Sequence, residues 1–163
     1  MDTLQKVRVI GHREHWLLDF NSITVFQKHF LGCGGYGLVC QGSFGGTSVA
    51  LKLAKQSEDE RGRKRLLSLV NELRILRRLR HPNIVLFHGA CIDFSENQLV
   101  LVLELVAGET LERWIQHESI NHDGRGEHLI QEERAKTVVL LGVSSAMSYL
   151  HSQKPCIVHG DIK

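Results

Sequence analysis

Three glycines, one lysine and one glutamate have the types and spacing to handle a phosphate. The run Leu31-Gly32-Cys33-Gly34-Gly35-Tyr36-Gly37-Leu38-Val39 places glycine at 32, 34 and 37. Without side chains in the way, such a backbone can approach a phosphate and aim its amide hydrogens at the oxygens. Val49-Ala50-Leu51-Lys52 follows closely. On a strand, Ala50 and Lys52 share one face. A small apolar residue against a flat base and an ammonium over phosphates is the pairing that a nucleotide needs. Glu72 comes next, on the side of a predicted helix that carries Leu69, Leu76 and Leu79. A carboxylate on an apolar face is costly unless paired, and Lys52 is the obvious partner. A dinucleotide-binding loop has the same glycine spacing but opens a helix. Here Leu38-Val39-Cys40-Gln41 continues as strand. No acidic residue ends a second strand about 20 positions on, as that alternative requires.

The elements that must hold these residues follow from pattern. Thr24–Gly32 and Gly37–Ser43 read as strands on either side of the glycine loop, and Gly45-Gly46 as a hairpin turn into a third strand, Thr47–Ala54. Ser57–Arg80 reads as one long helix, with Leu66, Leu69, Val70, Leu73, Leu76 and Leu79 at helical spacing. Its Arg74, Arg77 and Arg78 read as solvated. His81-Pro82-Asn83 ends it, because the residue before proline avoids helical backbone. Ile84–Cys91 and Gln98–Leu105 read as two more strands joined by a polar turn at 93–97. Thr110–His117 reads as a short helix, 118–127 as a loop, and Gln131–Gln153 as a second long helix with Val139, Val143, Met147 and Leu150 on one side. Residues 1–23 read as an N-terminal extension in which Trp16-Leu17-Leu18-Asp19-Phe20 is amphipathic enough to pack onto the domain.

Composition bounds the partners. With 163 residues, 42% hydrophobic and 23% charged, the chain is expected to be one soluble globular domain. A net charge of +2 gives no reason to expect nucleic acid or a membrane surface. The basic cluster from Arg61 to Arg80 reads as a solvated helix face. The N-terminus lacks an apolar signal region, and the longest apolar run, Leu99–Leu103, is far too short to span a bilayer. Cys33, Cys40, Cys91 and Cys156 have no paired spacing, which points to reduced thiols and a cytoplasmic setting. His117, His122 and His128 fall in one polar stretch but lack a recognised zinc spacing, so no metal site is expected within the chain.

The ordered motifs resemble the first part of a eukaryotic protein kinase domain. The resemblance covers residues 24–163: a small lobe and hinge at 24–106, and the beginning of a large lobe at 107–163. It implies an α+β fold, with a five-stranded antiparallel small lobe, one long helix and the first helices of a helical lobe. It also implies that Lys52 contacts the α- and β-phosphates of ATP while Glu72 holds it. Val100-Leu101-Val102-Leu103-Glu104-Leu105-Val106-Ala107-Gly108-Glu109 is similar to the last small-lobe strand and the hinge. By that likeness Leu103 is the gatekeeper, the Glu104 carbonyl and the Val106 amide meet the adenine edge, and Glu109 approaches the ribose. Leu31, Val39, Ala50 and Leu111 match the apolar positions around the base. Residues 31–37 (Leu31, Gly32, Cys33, Gly34, Gly35, Tyr36, Gly37) match the glycine-rich cover. Trp16-x-x-Asp19 and His81–Cys91 are similar to the tyrosine-kinase-like group, whose members mostly phosphorylate serine and threonine.

His159-Gly160-Asp161-Ile162-Lys163 resembles the start of a catalytic loop. The resemblance makes Asp161 the acceptor of the substrate hydroxyl proton and Lys163 the residue that steadies the transferred phosphoryl group. Gly160 stands where the family usually has arginine, so activation through that arginine and a phosphorylated loop is not implied. The family's Mg²⁺ ligands are expected beyond Lys163. The expected function is therefore an ATP-dependent serine/threonine protein kinase, acting on protein substrates, with the 163 residues alone inactive. The alternative is a non-catalytic nucleotide-binding or regulatory module with a protein partner.

Overall fold

The computed structural model describes residues 3–34, 37–55, 59–120, 126–160 and 162, and their side chains except at 27–28, 33–34, 37, 55, 117–120 and 126–132. The chain forms two compact units: Met1–Arg80 with Val85–Val106, and His81–Ile84 with Ala107–Lys163.

The first unit is built on five strands, β1 Ile23–Gly34, β2 Gly37–Phe44, β3 Thr47–Lys55, β4 Phe87–Asp93 and β5 Gln98–Glu104. They form one antiparallel sheet in the order β1-β2-β3-β5-β4. Among the described residues two α-helices belong to this unit, α1 Thr3–Arg13 and α2 Glu60–Leu76, with a short 3-10 helix at Phe20–Ser22. The fold is α+β, as the sequence implies.

Local chemistry explains the joints. Gly45 and Gly46 have φ of +56° and +80° between Phe44 and Thr47, which pair. A two-residue hairpin turn of this hand needs positive φ at both positions, and glycine adopts it without steric cost. Between β4 and β5 the Asp93 carboxylate accepts hydrogen bonds from the Ser95 amide at 2.9 Å and the Glu96 amide at 3.2 Å. The Asp59 side chain caps α2 by accepting from the Gly62 amide at 3.0 Å.

Period-two alternation splits the sheet into two apolar faces. On one, Val49, Leu51, Val100, Val102, Cys91 and Cys40 pack with Ile23. On the other, Ala54, Leu99, Leu101, Ala90 and Ile92 meet Leu66, Leu69 and Leu73 of α2 and Leu4 and Val7 of α1. Each fully buried leucine contributes about 1.5–3 kcal/mol relative to exposure.

Several element bounds differ from the sequence reading. The helix read as extending to Arg80 stops at Leu76, because Arg78 and Leu79 donate to Ile75 and Leu76 in tightened i→i−3 bonds. Its expected start, Ser57, lies outside the described residues. The fourth strand begins at Phe87, not Ile84, since His81–Ile84 forms a turn closed by Ile84 N–H to His81 O at 3.1 Å. Residues 1–15, given no element in the sequence reading, contain α1, although Leu4, Val7 and Gly11 already lie at i, i+3 and i+7.

The second unit contains α3 Leu111–Ile120 and α4 Gly126–Ser152. Thr110 caps α3, its hydroxyl accepting from the Arg113 amide at 3.3 Å. Helix α3 continues to Ile120 and α4 starts at Gly126, inside both ends of the expected loop at 118–127, and residues 121–125 lie outside the described residues. Leu150 is buried as the periodicity implies, but Val143 of the same expected face is exposed. The turn His81–Ile84 packs on α4. His81 stacks on Tyr149 with ring centroids 5.1 Å apart and lies 3.1 Å from the Ser145 hydroxyl. Asn83 occupies the space that a Cβ on Gly142 would need. No described helix is long and apolar enough to cross a membrane.

Candidate functional site

The sheet register aligns the phosphate-handling residues. Gly32 pairs with Val39, Val39 with Lys52 and Lys52 with Leu101. Residues directly opposite one another in antiparallel strands project to the same side. This row therefore runs from the glycine-rich strand, across the lysine, to the core beneath α2. One step along, Ala50 pairs with Leu103 and Leu103 with Phe87. Ala50 and Leu103, expected around a base, thus lie side by side on the Lys52 face, both half-buried.

Lys52 reaches α2 because α2 packs on this face. Its Nζ donates to Glu72 Oε2 at 2.5 Å, and the two side chains are 17% and 29% exposed. The pair is charge-assisted, stronger than a neutral hydrogen bond, and it keeps the ammonium beside the glycine strand. The expected Lys52–Glu72 partnership is present. A Cβ built on Gly32 would meet nothing within 4 Å, so the backbone there is open to an approaching group. An ammonium in register with an open glycine backbone is donor chemistry that suits a polyphosphate.

The end of β5 is clamped. The Glu104 amide donates to Leu86 O at 2.9 Å, and Glu104 Oε2 accepts from the Leu86 amide at 3.1 Å. The sequence reading gave Glu104 only a carbonyl role; its side chain fixes the segment leading to Leu105 and Val106. Leu31 and Val106 are exposed and Val39 is half-buried.

Other expected site residues divide into three groups. Glu109 and Leu111 belong to the second unit, where both are exposed and Leu111 opens α3. The backbones of Cys33, Gly34 and Gly37 are paired, Cys33 with Leu38 and Gly34 with Gly37, so β1 continues two residues past the expected bound at Gly32 while β2 starts at Gly37 as expected. Gly35, Tyr36, Asp161 and Lys163 lie outside the described residues, as does His122, and the side chains of His117 and His128 are not described. Among the described residues no cluster of histidine, cysteine or acidic groups could hold a metal ion. Gly160 has φ of +73°, a left-handed backbone that glycine favours and arginine resists.

One reading of α2 is corrected. Arg77 is not solvated. It is the C-cap of the helix, its side chain is 14% exposed, and it pairs with Glu14. Burial, and then neighbouring Arg78, pushes its pKa below the ordinary arginine value. A counter-charge that the local helical pattern does not contain lowers the cost of this burial.

The sheet, the paired lysine and helix α2 are those of a protein kinase small lobe, and the chain belongs to the protein kinase domain family, which it matches over residues 26–163. It is similar to drkD, a probable serine/threonine-protein kinase of Dictyostelium discoideum, with 37% identity over 91% of this chain and 10% of that protein. Two Arabidopsis thaliana proteins, the probable serine/threonine-protein kinase SIS8 and the serine/threonine-protein kinase CTR1, are each 35% identical, over 88% and 83% of this chain. The chain spans 12% and 15% of their lengths. These likenesses agree with the tyrosine-kinase-like character of Trp16–Asp19 and His81–Cys91.

Proposed function

We propose that this chain supplies the nucleotide-binding part of a kinase that transfers the γ-phosphoryl group of ATP to serine or threonine hydroxyls of proteins. The observation that carries the reading is the Lys52–Glu72 bond, in register with Gly32 and Val39. In this mechanism Lys52 orients the α- and β-phosphates, and Glu72 keeps its ammonium from swinging to solvent. Backbone amides of 32–37 cover the phosphates. Leu31, Val39, Ala50 and Leu103 flank the base, with Glu104 and Val106 offering main-chain hydrogen bonds to its edge. Glu109 and Leu111 join this set on resemblance alone.

Asp161 orients the attacking hydroxyl and takes its proton, and Lys163 steadies the phosphoryl group in transit. Magnesium, when bound, neutralises phosphate charge; its protein ligands are expected C-terminal to Lys163, so transfer is proposed for a chain that includes them. The boundary after Val106 is the proposed hinge between lobes. A cytoplasmic setting is proposed from the unpaired spacing of the cysteines alone.

The test is a Lys52→Met variant in a chain extended through the metal ligands. Methionine keeps the volume and removes the charge. Phosphorylation of a serine/threonine substrate should be abolished. Retention of activity within about threefold, well under the usual cost of losing an electrostatic contact to a transferring group, would overturn the role of Lys52. Nucleotide binding without any transfer by the unmutated extended chain would leave the non-catalytic reading.

A further inference from the structure

Glu14 is remote from the glycine strand, yet it joins two elements on which the Lys52–Glu72 bond depends. It follows α1, its amide donating to Ile10 O at 2.9 Å. Its Oε2 accepts the indole N–H of Trp16 at 2.9 Å and pairs with the Arg77 guanidinium. Arg77 caps α2 five residues beyond Glu72, on the same rigid rod. Trp16 is buried and shares a core with Leu66, Leu69 and Leu73 of α2.

The Trp16 segment is also fastened to the sheet. The Ala90 amide donates to Trp16 O at 3.0 Å, and the Leu18 amide donates to Ala90 O at 2.8 Å. Two glycines permit this approach. A Cβ on Gly11 would lie 2.9 Å from the Trp16 ring, and one on Gly89 would lie 2.6 Å from Leu18. Residues 11–18 thus fix edge strand β4 and the C-terminal end of α2 at once. Glu72 sits at hydrogen-bond contact with Lys52, so a shift of α2 by about one residue rise, 1.5 Å, would break the bond.

We propose that Glu14, acting with Trp16 and Arg77, is a positioning residue that sets α2 so that Glu72 meets Lys52. This rests on the reading of Lys52 as the phosphate-orienting lysine, and it makes the N-terminal segment a control point for that site. A merely structural Glu14–Arg77 pair would hold the N-terminus down without affecting Lys52.

The experiment exchanges the charges in the 163-residue chain: Glu14→Lys, Arg77→Glu, and both together. The readout is acylation of the Lys52 amine by a limiting reagent, quantified by mass spectrometry. Lys64, whose side chain is 74% exposed, is the internal standard. No nucleotide is needed, so a failure of ATP binding would leave this result intact, and the reverse holds too. Each single exchange should raise Lys52 labelling by about threefold or more, and the double exchange should lower it again part of the way, since it restores the ion pair but leaves the Trp16 N–H without its acceptor. Glu14→Gln keeps an acceptor for Trp16 while removing the charge, and serves if the exchanges fail to fold. It should raise labelling about twofold, the low end of such coupling. Lys52 labelling that stays at the wild-type level in the folded variants, whatever happens to their melting temperature, overturns the proposal. So does a double exchange that labels as much as the singles.

Discussion

Cys91 shows how far burial alone can set the behaviour of a side chain. Its thiol is pushed from an ordinary 9.0 up to about 12, by burial first and then by the charges of Asp93 and Asp19. The folded state holds this proton over a window in which the unfolded chain has lost it. Stability from this group is therefore complete below pH 9.0 and declines as pH rises toward 12. Cys91→Val should flatten the alkaline limb of a stability–pH curve relative to wild type, measured by urea melts. At neutral pH iodoacetamide should label exposed Cys156 and spare Cys91 and Cys40 until the chain unfolds. Gly160 gives a second case. Arginine at a left-handed position costs about 1–2 kcal/mol, so Gly160→Arg should lower stability rather than simply restore a family residue. Gly160→Asn should cost less in the same thermal melts. Lys52 and Glu72 were legible in the sequence because both sit in periodic elements whose faces can be counted. Arg77 was not, because its partner Glu14 lies in another element and only the fold brings them together.

At the scale of elements, strands were easier to read than helix ends. Alternation and the Gly45-Gly46 turn located β2 and β3 to within a residue at each end. The long helix was placed by its leucines, but its end depended on tightened bonds at Arg78 and Leu79 that apolar spacing does not encode. Helix α1 was overlooked because its buried face is only Leu4, Val7 and Gly11, and a glycine at a core position carries no hydropathy signal. That glycine is there for the Trp16 ring. The Asp59 cap supports a direct prediction. Asp59→Ala should lower stability by about 1 kcal/mol, whereas Asp59→Asn should be nearly neutral. Equilibrium denaturation of both variants checks it, and equal losses would show that the carboxylate charge, not the hydrogen bond to Gly62, matters.

At the scale of the whole molecule, the first unit packs an apolar cluster on each face of its sheet, although Phe30, Leu31 and Leu67 are exposed, and Val138, Leu140 and Leu141 are exposed close together along α4. Exposed apolar patches of this kind favour association. The 163-residue chain should therefore elute as more than a monomer in size-exclusion chromatography, and Leu140→Glu with Leu141→Glu should shift it toward monomer. An unchanged elution profile would show that these leucines are not the adhesive surface.

The four residues His81–Ile84 carry a consequence for modularity. They pack with Ser145 and Tyr149, yet Arg80 before them and Val85 after them belong to the other unit. The backbone therefore passes from one unit to the other three times, after Arg80, after Ile84 and after Val106. Severing one peptide bond cannot separate such a pair cleanly. A fragment ending at Val106 would carry a tetrapeptide torn from its lodging, with His81 lacking its stacking ring and Asn83 lacking the glycine it rests on. A single cut after Val106 therefore leaves the second unit without its first four residues.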